Sequence, residues 1–164
     1  MIRWVAAVFL ALTACSGPSS PFAPGVNGAP KEDGLTIGHR LMAAREYDLA
    51  LSSYTRALGQ FGMTPAVAAA LGHANLSLGR LGQAEPQLRL ATKSSDATPE
   101  MWNNLGVLLM ERGEYVEAAS VFRRAFALSN GQNATIQSNL ATALSKRDAA
   151  RYTESQVDRA DPFP

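Results

Sequence analysis

A register of small and apolar residues recurs every 34 positions and constrains the fold more than any other feature of the chain. It comprises a leucine, two glycines and two alanines, found as Leu71, Gly72, Gly79, Ala84 and Ala91 and again as Leu105, Gly106, Gly113, Ala118 and Ala125. One period earlier the matching positions hold Ile37, Gly38, Ala50 and Ala57. A fixed period of this length is typical of arrays of helix pairs. The sequence therefore predicts an all-α solenoid of about three repeats.

Close helix packing explains the residue types in this register. Gly38, Gly72 and Gly106 would allow the first helix of each repeat (helix A) to approach the second (helix B). Between the two alanines of each copy stands a bulky residue that fills the remaining gap, namely Tyr54, Leu88 or Phe122. Each helix pair has an apolar face that only a neighbouring repeat can cover, so about three repeats are the minimum for a stable array.

The third copy carries the strongest family resemblance. It reads Trp102-Asn103-Asn104-Leu105-Gly106, followed by Leu109, Gly113, Tyr115, Ala118, Phe122 and Ala125. This pattern resembles the tetratricopeptide-repeat (TPR) consensus almost residue for residue, and the second copy is similar. The first copy departs most, because Arg45 stands where the turn glycine is expected. The resemblance implies a TPR solenoid whose A helices line a concave, protein-binding surface.

The segments can be assigned from this register. We predict a TPR domain over residues 34–152, in which the repeats occupy about 34–64, 65–98 and 99–132, a capping helix occupies 135–152, and a flexible tail follows over 153–164. Pro86 lies inside helix B of the second repeat. Proline is tolerated in the first turn of a helix but destabilises its interior. We therefore expect that helix to begin near Gln83.

The first residues are typical of a secretory signal. Arg3 precedes a short apolar run that ends in Leu12-Thr13-Ala14-Cys15. These four residues resemble the cleavage site of bacterial lipoproteins, which implies a signal peptide at 1–14, cleavage between Ala14 and Cys15, and a fatty-acyl (palmitate) anchor on Cys15. The alternative of a permanent transmembrane helix needs roughly 20 apolar residues, more than this run has.

Residues 15–33, the lipidated cysteine and a stretch rich in proline and glycine, are predicted to form a tether. Ser16 follows the cysteine where an aspartate would signal inner-membrane retention. The sorting rule of the family therefore implies the periplasmic face of the outer membrane.

Charge and motifs argue against several classes of function. Removal of Arg3 with the signal lowers the basic count from 15 to 14, against 14 acidic residues, so the remaining formal charge is zero. A neutral chain is not expected to bind nucleic acid. The sequence has no catalytic, phosphate-binding or metal-binding motif. We therefore expect no enzyme activity, no cofactor and no small-molecule substrate.

Two histidines are the candidates for a metal site. His39 and His73 lie one period apart and should face the same way on neighbouring A helices. A metal site needs three or four ligands, whereas the next residues in this row are Val107 and Thr142. We therefore predict no metal and assign the histidines to a groove wall.

The groove follows from the TPR resemblance, which places the inner stripe of the A helices against a peptide. The predicted stripe is Leu35, His39, Met42, Ala69, His73, Leu76, Asn103, Val107, Met110, Ser138 and Thr142. These residues predict an apolar, neutral wall in which methionine supplies an adaptable surface, and hence an apolar protein segment as the ligand. The alternative is that the chain's own segment Pro162-Phe163-Pro164 fills part of the stripe.

A short lipoprotein with about three TPRs resembles the assembly lipoproteins of tight-adherence (Tad/Flp) pili. This resemblance implies a membrane-anchored scaffold that binds a pilus or secretin component during envelope assembly. The rival interpretation is an accessory subunit of a cell-envelope enzyme or of a cytochrome maturation system. A purely structural lipoprotein would leave the apolar stripe without a purpose.

Overall fold

Seven α-helices make up residues 32–160, the part of the chain that the computed structural model describes. In chain order they are α1 (Gly34–Ala43), α2 (Tyr47–Phe61), α3 (Pro65–Ser77), α4 (Leu81–Thr92), α5 (Pro99–Glu111), α6 (Tyr115–Leu128) and α7 (Ala134–Ala160). Each helix packs on the next, and the A helices also contact one another as α1·α3, α3·α5 and α5·α7. No strand occurs among these residues, and the predicted all-α solenoid is confirmed.

Local sequence signals set where the A helices begin. The side chains of Thr64 and Thr98 accept hydrogen bonds from the amides of Val67 and Met101, and in each case proline follows the threonine. A threonine cap satisfies an amide that has no partner in the first turn, and proline at the next position lacks such an amide. Asp33 caps α1 and Asn133 caps α7 in the same way, so all four A helices have a side-chain cap that accepts from an amide three residues later.

The glycines of the register stand where helix A approaches helix B. A methyl group added at Gly106 would lie 2.5 Å from Cε1 of Phe122, and one at Gly72 would lie 2.7 Å from Cγ of Leu88. A methyl at Gly38 would overlap the ring of Tyr54. The three bulky partners are buried. The predicted match between a glycine and one large side chain is therefore present in every repeat.

The turn between helices A and B has a left-handed residue in each repeat. Gly79 has φ 71° and Gly113 has φ 78°, while Arg45, one period before Gly79, has φ 62°. This region of backbone space favours glycine, because a Cβ atom crowds the neighbouring carbonyl. The first repeat therefore keeps the turn of the other two despite its missing glycine.

Helix α4 begins earlier than the sequence predicted. It starts at Leu81 rather than near Gln83, so Pro86 lies inside it. Because proline has no amide, it cannot donate to the carbonyl of Gly82 one turn earlier. Gly82 and Pro86 are both exposed, which leaves that carbonyl within reach of water. The prediction failed because solvent at an exposed position can replace the lost hydrogen bond.

Helix α7 is longer than the predicted capping helix. It continues past Tyr152 to Ala160, so residues 153–160 are helical and do not belong to a flexible tail. This segment contains no glycine or proline to end the helix before Asp161-Pro162. The apolar residues that cap the array lie in the first half of α7, where Ile136 and Ala143 are buried.

Several predictions lie outside the described residues. These are the signal peptide at 1–14, the lipidated Cys15, the tether up to Lys31, and the last four residues of the tail. None of the helices within residues 32–160 combines the length and the hydropathy needed to cross a bilayer.

Candidate peptide-binding groove

Three adjoining cavities follow the A helices on one face of the solenoid. Their volumes are about 220, 470 and 390 Å³. His73 on α3 and Asn104 on α5 line all three of them. We call this continuous depression the groove, and its centre is the space between these two side chains.

Six of the predicted stripe residues line the groove. They are His39, Ala69, His73, Leu76, Asn103 and Val107. They come from α1, α3 and α5, and the structure brings them together because these three helices lie side by side. The cavity walls therefore combine residues that are up to two periods apart in the sequence.

The other five predicted residues lie elsewhere. Leu35 and Met42 pack against the buried cluster between the first two repeats, and Met110 packs against the second buried cluster, which α4, α5, α6 and α7 form. Ser138 and Thr142 are exposed on α7, where the Thr142 hydroxyl donates to the Ser138 carbonyl at 3.0 Å. The groove cavities thus contain neither of the stripe methionines, which instead complete the packing of their own helices.

The two histidines share the smallest cavity. The ring of His39 stands edge-on to that of Tyr54, with 5.6 Å between ring centroids. Burial lowers the pKa of His73, and the nearby His39 lowers it further. Both effects favour the neutral imidazole, which can donate one hydrogen bond and accept another. Within the described residues no group of three His, Cys, Asp or Glu side chains is placed to hold a metal.

Asn103 and Asn104 have different roles although they are neighbours. The Nδ2 of Asn139 on α7 donates to Oδ1 of Asn103 at 2.9 Å, which ties the capping helix to α5. Asn104 forms no side-chain hydrogen bond with any other described residue, and it is half-buried at the groove centre. Its amide group therefore has a donor and an acceptor available for a peptide main chain.

Sequence reasoning missed two acidic residues in the groove. Glu100 lines two of the cavities and Glu111 lines the third, whereas lysine and arginine line none of them. The wall is therefore acidic, where the sequence analysis predicted a neutral one. The 34-residue period held the signal, since Glu100 and Glu111 are in register with Ala66 and Ser77, which also line the groove.

Comparison with known proteins identifies the family of this chain. The sequence model described as tetratricopeptide repeat matches residues 35–96 and 70–133, which together span more than half of the chain. The chain belongs to the tetratricopeptide-repeat family. No curated protein matches it.

Solved TPR structures agree with this assignment at the level of the fold. The first TPR domain of human RPAP3 superposes with a TM-score of 0.65 at 17% identity, covering 73% of this chain and 93% of that domain. The Sgt2 TPR domain of Aspergillus fumigatus gives 0.62 at 23% identity, covering 80% and 83%. The second TPR domain of human RPAP3, solved in complex with the HSP70 peptide SGPTIEEVD, gives 0.59 at 20% identity, covering 68% and 92%.

Proposed function

We propose that this TPR protein is a membrane-anchored scaffold whose groove binds an extended protein segment during assembly of the cell envelope. The observation that carries the proposal is the groove itself, where a half-buried Asn104 without a partner among the described side chains stands beside apolar surface. Solved TPR domains such as the second domain of RPAP3 bind peptides. A similar use of the groove requires no catalytic group.

The groove offers two kinds of contact to a segment. Leu76, Leu81 and Val107 supply apolar surface in the 470 Å³ cavity. Asn104, at the centre, can donate to one main-chain carbonyl and accept from one main-chain amide, as a neighbouring strand would. A segment with at least one apolar side chain and an accessible main chain fits this arrangement.

Sequence alone supports the anchor and the process. The run Leu12-Thr13-Ala14-Cys15 is the basis for a lipid on Cys15. A lipid-held array would face partners at high local concentration without any additional contact. Within envelope assembly we favour a pilus or secretin component as the partner, on the resemblance to pilus assembly lipoproteins, and the periplasmic face of the outer membrane as the location.

Photo-crosslinking in cells tests the groove. A photoreactive amino acid at Val107 should capture one defined envelope protein, whereas the same amino acid at Leu49 should not. Leu49 is the matched control because it is 56% exposed on α2 and lines none of the groove cavities. Capture of a pilus or secretin component supports the proposal. Capture of an envelope enzyme favours the accessory-subunit alternative, and an identical pattern at both positions contradicts a role for the groove.

The anchor is tested separately. The Cys15→Ser variant should lose its lipid and its assembly activity in cells, while the purified domain keeps its binding to the captured partner. Full assembly by the unlipidated protein would contradict the anchored scaffold.

A further inference from the structure

We propose that the occupant of the groove is a cationic protein segment with two lysine or arginine residues about five positions apart and an apolar residue between them. This inference rests on the proposed function, because it names the chemistry of the segment that the groove would hold.

The two carboxylates set the positions of the cations. Glu100 and Glu111 lie at opposite ends of α5, and each lines a groove cavity that also contains His73 and Asn104. They are 11 residues apart along the helix, which at a rise of about 1.5 Å per residue corresponds to about 16 Å. An extended chain covers this distance in about five residues, at roughly 3.3 Å each.

Neither carboxylate is neutralised within the described part of the protein. Glu100 and Glu111 form no ion pair there, whereas other glutamates of the second and third repeats do. Glu85 pairs with Arg89 at 2.8 Å, and Glu117 pairs with the same arginine at 2.8 Å. The solenoid thus contains arginines that bind glutamate, but they lie outside the groove. The carboxylates of Glu100 and Glu111 are therefore available to pair with cations of a bound segment.

The concave shape of the groove strengthens the electrostatic attraction of these two glutamates for cations. A concave, partly apolar wall lowers the local dielectric and concentrates the field of the charges that line it. No lysine or arginine lines the three groove cavities to oppose it. Cations are attracted along the whole groove, and an acidic segment is repelled at both ends.

The centre of the groove fits what lies between the two cations. Val107 lies between Glu100 and Glu111 on α5 and presents apolar surface with Leu76 in the cavity that contains Glu111, while Asn104 can bond to the main chain. An aliphatic side chain can pack on this apolar surface while the basic residues on either side of it pair with Glu100 and Glu111.

The same charges disfavour two other occupants. The C-terminal residues 157–164 include Asp158, Arg159 and Asp161, so this segment is net acidic. The peptide SGPTIEEVD bound by the second TPR domain of human RPAP3 is also acidic. Both would bring carboxylates into the groove close to Glu100 and Glu111, where like charges repel.

Three labelled peptides of equal length test the charge requirement. They share a central leucine and differ only in the two flanking residues, five positions apart, which are lysine, glutamine or glutamate. We expect the lysine peptide to bind most tightly at low salt, the glutamine peptide more weakly, and the glutamate peptide most weakly. Raising the salt concentration should reduce the difference, because exposed charges are screened.

Charge-removing variants locate the effect. Glu100→Gln and Glu111→Gln should each weaken binding of the lysine peptide about 2- to 5-fold, and the double variant about 10-fold, as expected for partly exposed ion pairs. Binding of the glutamine peptide should stay unchanged. Glu46→Gln is the control, because Glu46 is an exposed glutamate at the α1–α2 turn that lines none of the groove cavities.

The outcomes separate this inference from the proposed function. Equal binding of the three peptides, a preference for glutamate, or no binding of the lysine peptide would overturn the cationic occupant. In each case specific capture at Val107 in cells would leave the protein-binding groove intact. Absence of specific capture at Val107 in cells, while the lysine peptide still binds in vitro and Glu100→Gln weakens it, would instead contradict the proposed function and leave the charge preference of the groove standing.

Discussion

The two sides of the A helices differ in how strictly they repeat. The side that faces helix B has glycine in all three repeats, at Gly38, Gly72 and Gly106, each in contact with one large buried side chain. The side that faces the groove repeats less strictly: one row has histidine at His39 and His73 but valine at Val107. The packed side is fixed because any added atom would collide, whereas the groove side meets solvent or a ligand.

This difference teaches where fold and specificity reside in the chain. Close packing leaves few tolerated residues, so the helix-B side carries the information for the solenoid. The groove side can vary with little effect on the fold, so it can carry information about the partner. Substitutions on the two sides should therefore have separable effects, and the following predictions test that separation.

The largest effect is expected on the packed side. Gly106→Ala should destabilise the domain by about 1–3 kcal/mol, because the new methyl would overlap the buried ring of Phe122. Gly59→Ala is the matched control: Gly59 lies inside α2 with no atom near its would-be methyl. There the same change should stabilise by about 0.5–1 kcal/mol through higher helix propensity. Urea denaturation monitored by circular dichroism measures both, and losses of equal size would contradict the packing argument.

A substitution in the turn of the first repeat, Arg45→Gly, should change stability less than Gly106→Ala does, and it should stabilise the domain. Arg45 holds a left-handed backbone conformation that costs about 1–2 kcal/mol for a residue with a side chain, and glycine avoids most of this cost. Glycine also loses more backbone entropy on folding. We expect Arg45→Gly to stabilise the domain by about 0.5–1 kcal/mol in the same urea assay. A destabilised variant would show that the arginine side chain contributes more than its backbone costs.

His73 tests whether the two sides are fully independent, since it lines the groove and is half-buried. Burial, with help from His39, lowers its pKa below the ordinary value of 6.5. The unfolded chain therefore binds a proton at a higher pH than the folded one. The free energy of unfolding should therefore show no loss from His73 above about pH 6.5, and it should fall as the pH drops from there towards the pKa of His73 in the folded protein. His73→Gln should reduce this slope, and an unchanged slope would assign it to other groups.

The smallest effect on stability is expected at the groove centre. Asn104→Ala removes a side chain that forms no hydrogen bond with other described residues, so the free energy of unfolding should change by less than about 0.5 kcal/mol. Binding of the lysine peptide should weaken nonetheless, because the main-chain contact is lost. Fluorescence anisotropy measures the binding, and a stability loss comparable with that of Gly106→Ala would remove the distinction between the two sides.

Much of the fold was determined by the sequence alone. The 34-residue register, its glycines and their bulky partners specify helix pairs, because one large side chain fills the space beside each glycine. Proline and threonine marked where α3 and α5 begin. These signals are local or strictly periodic, and they do not depend on the rest of the structure.

Tertiary structure decided the remaining features. The chain tolerates Pro86 inside α4 because Gly82 and Pro86 are both exposed, so that water can bond to the carbonyl of Gly82. The period already puts Glu100 and Glu111 in register with other groove residues, but only the packing of α3 against α5 makes them line cavities together with His73. Periodicity determines which residues can repeat a contact, but which side chains share a cavity depends on how neighbouring helices are placed.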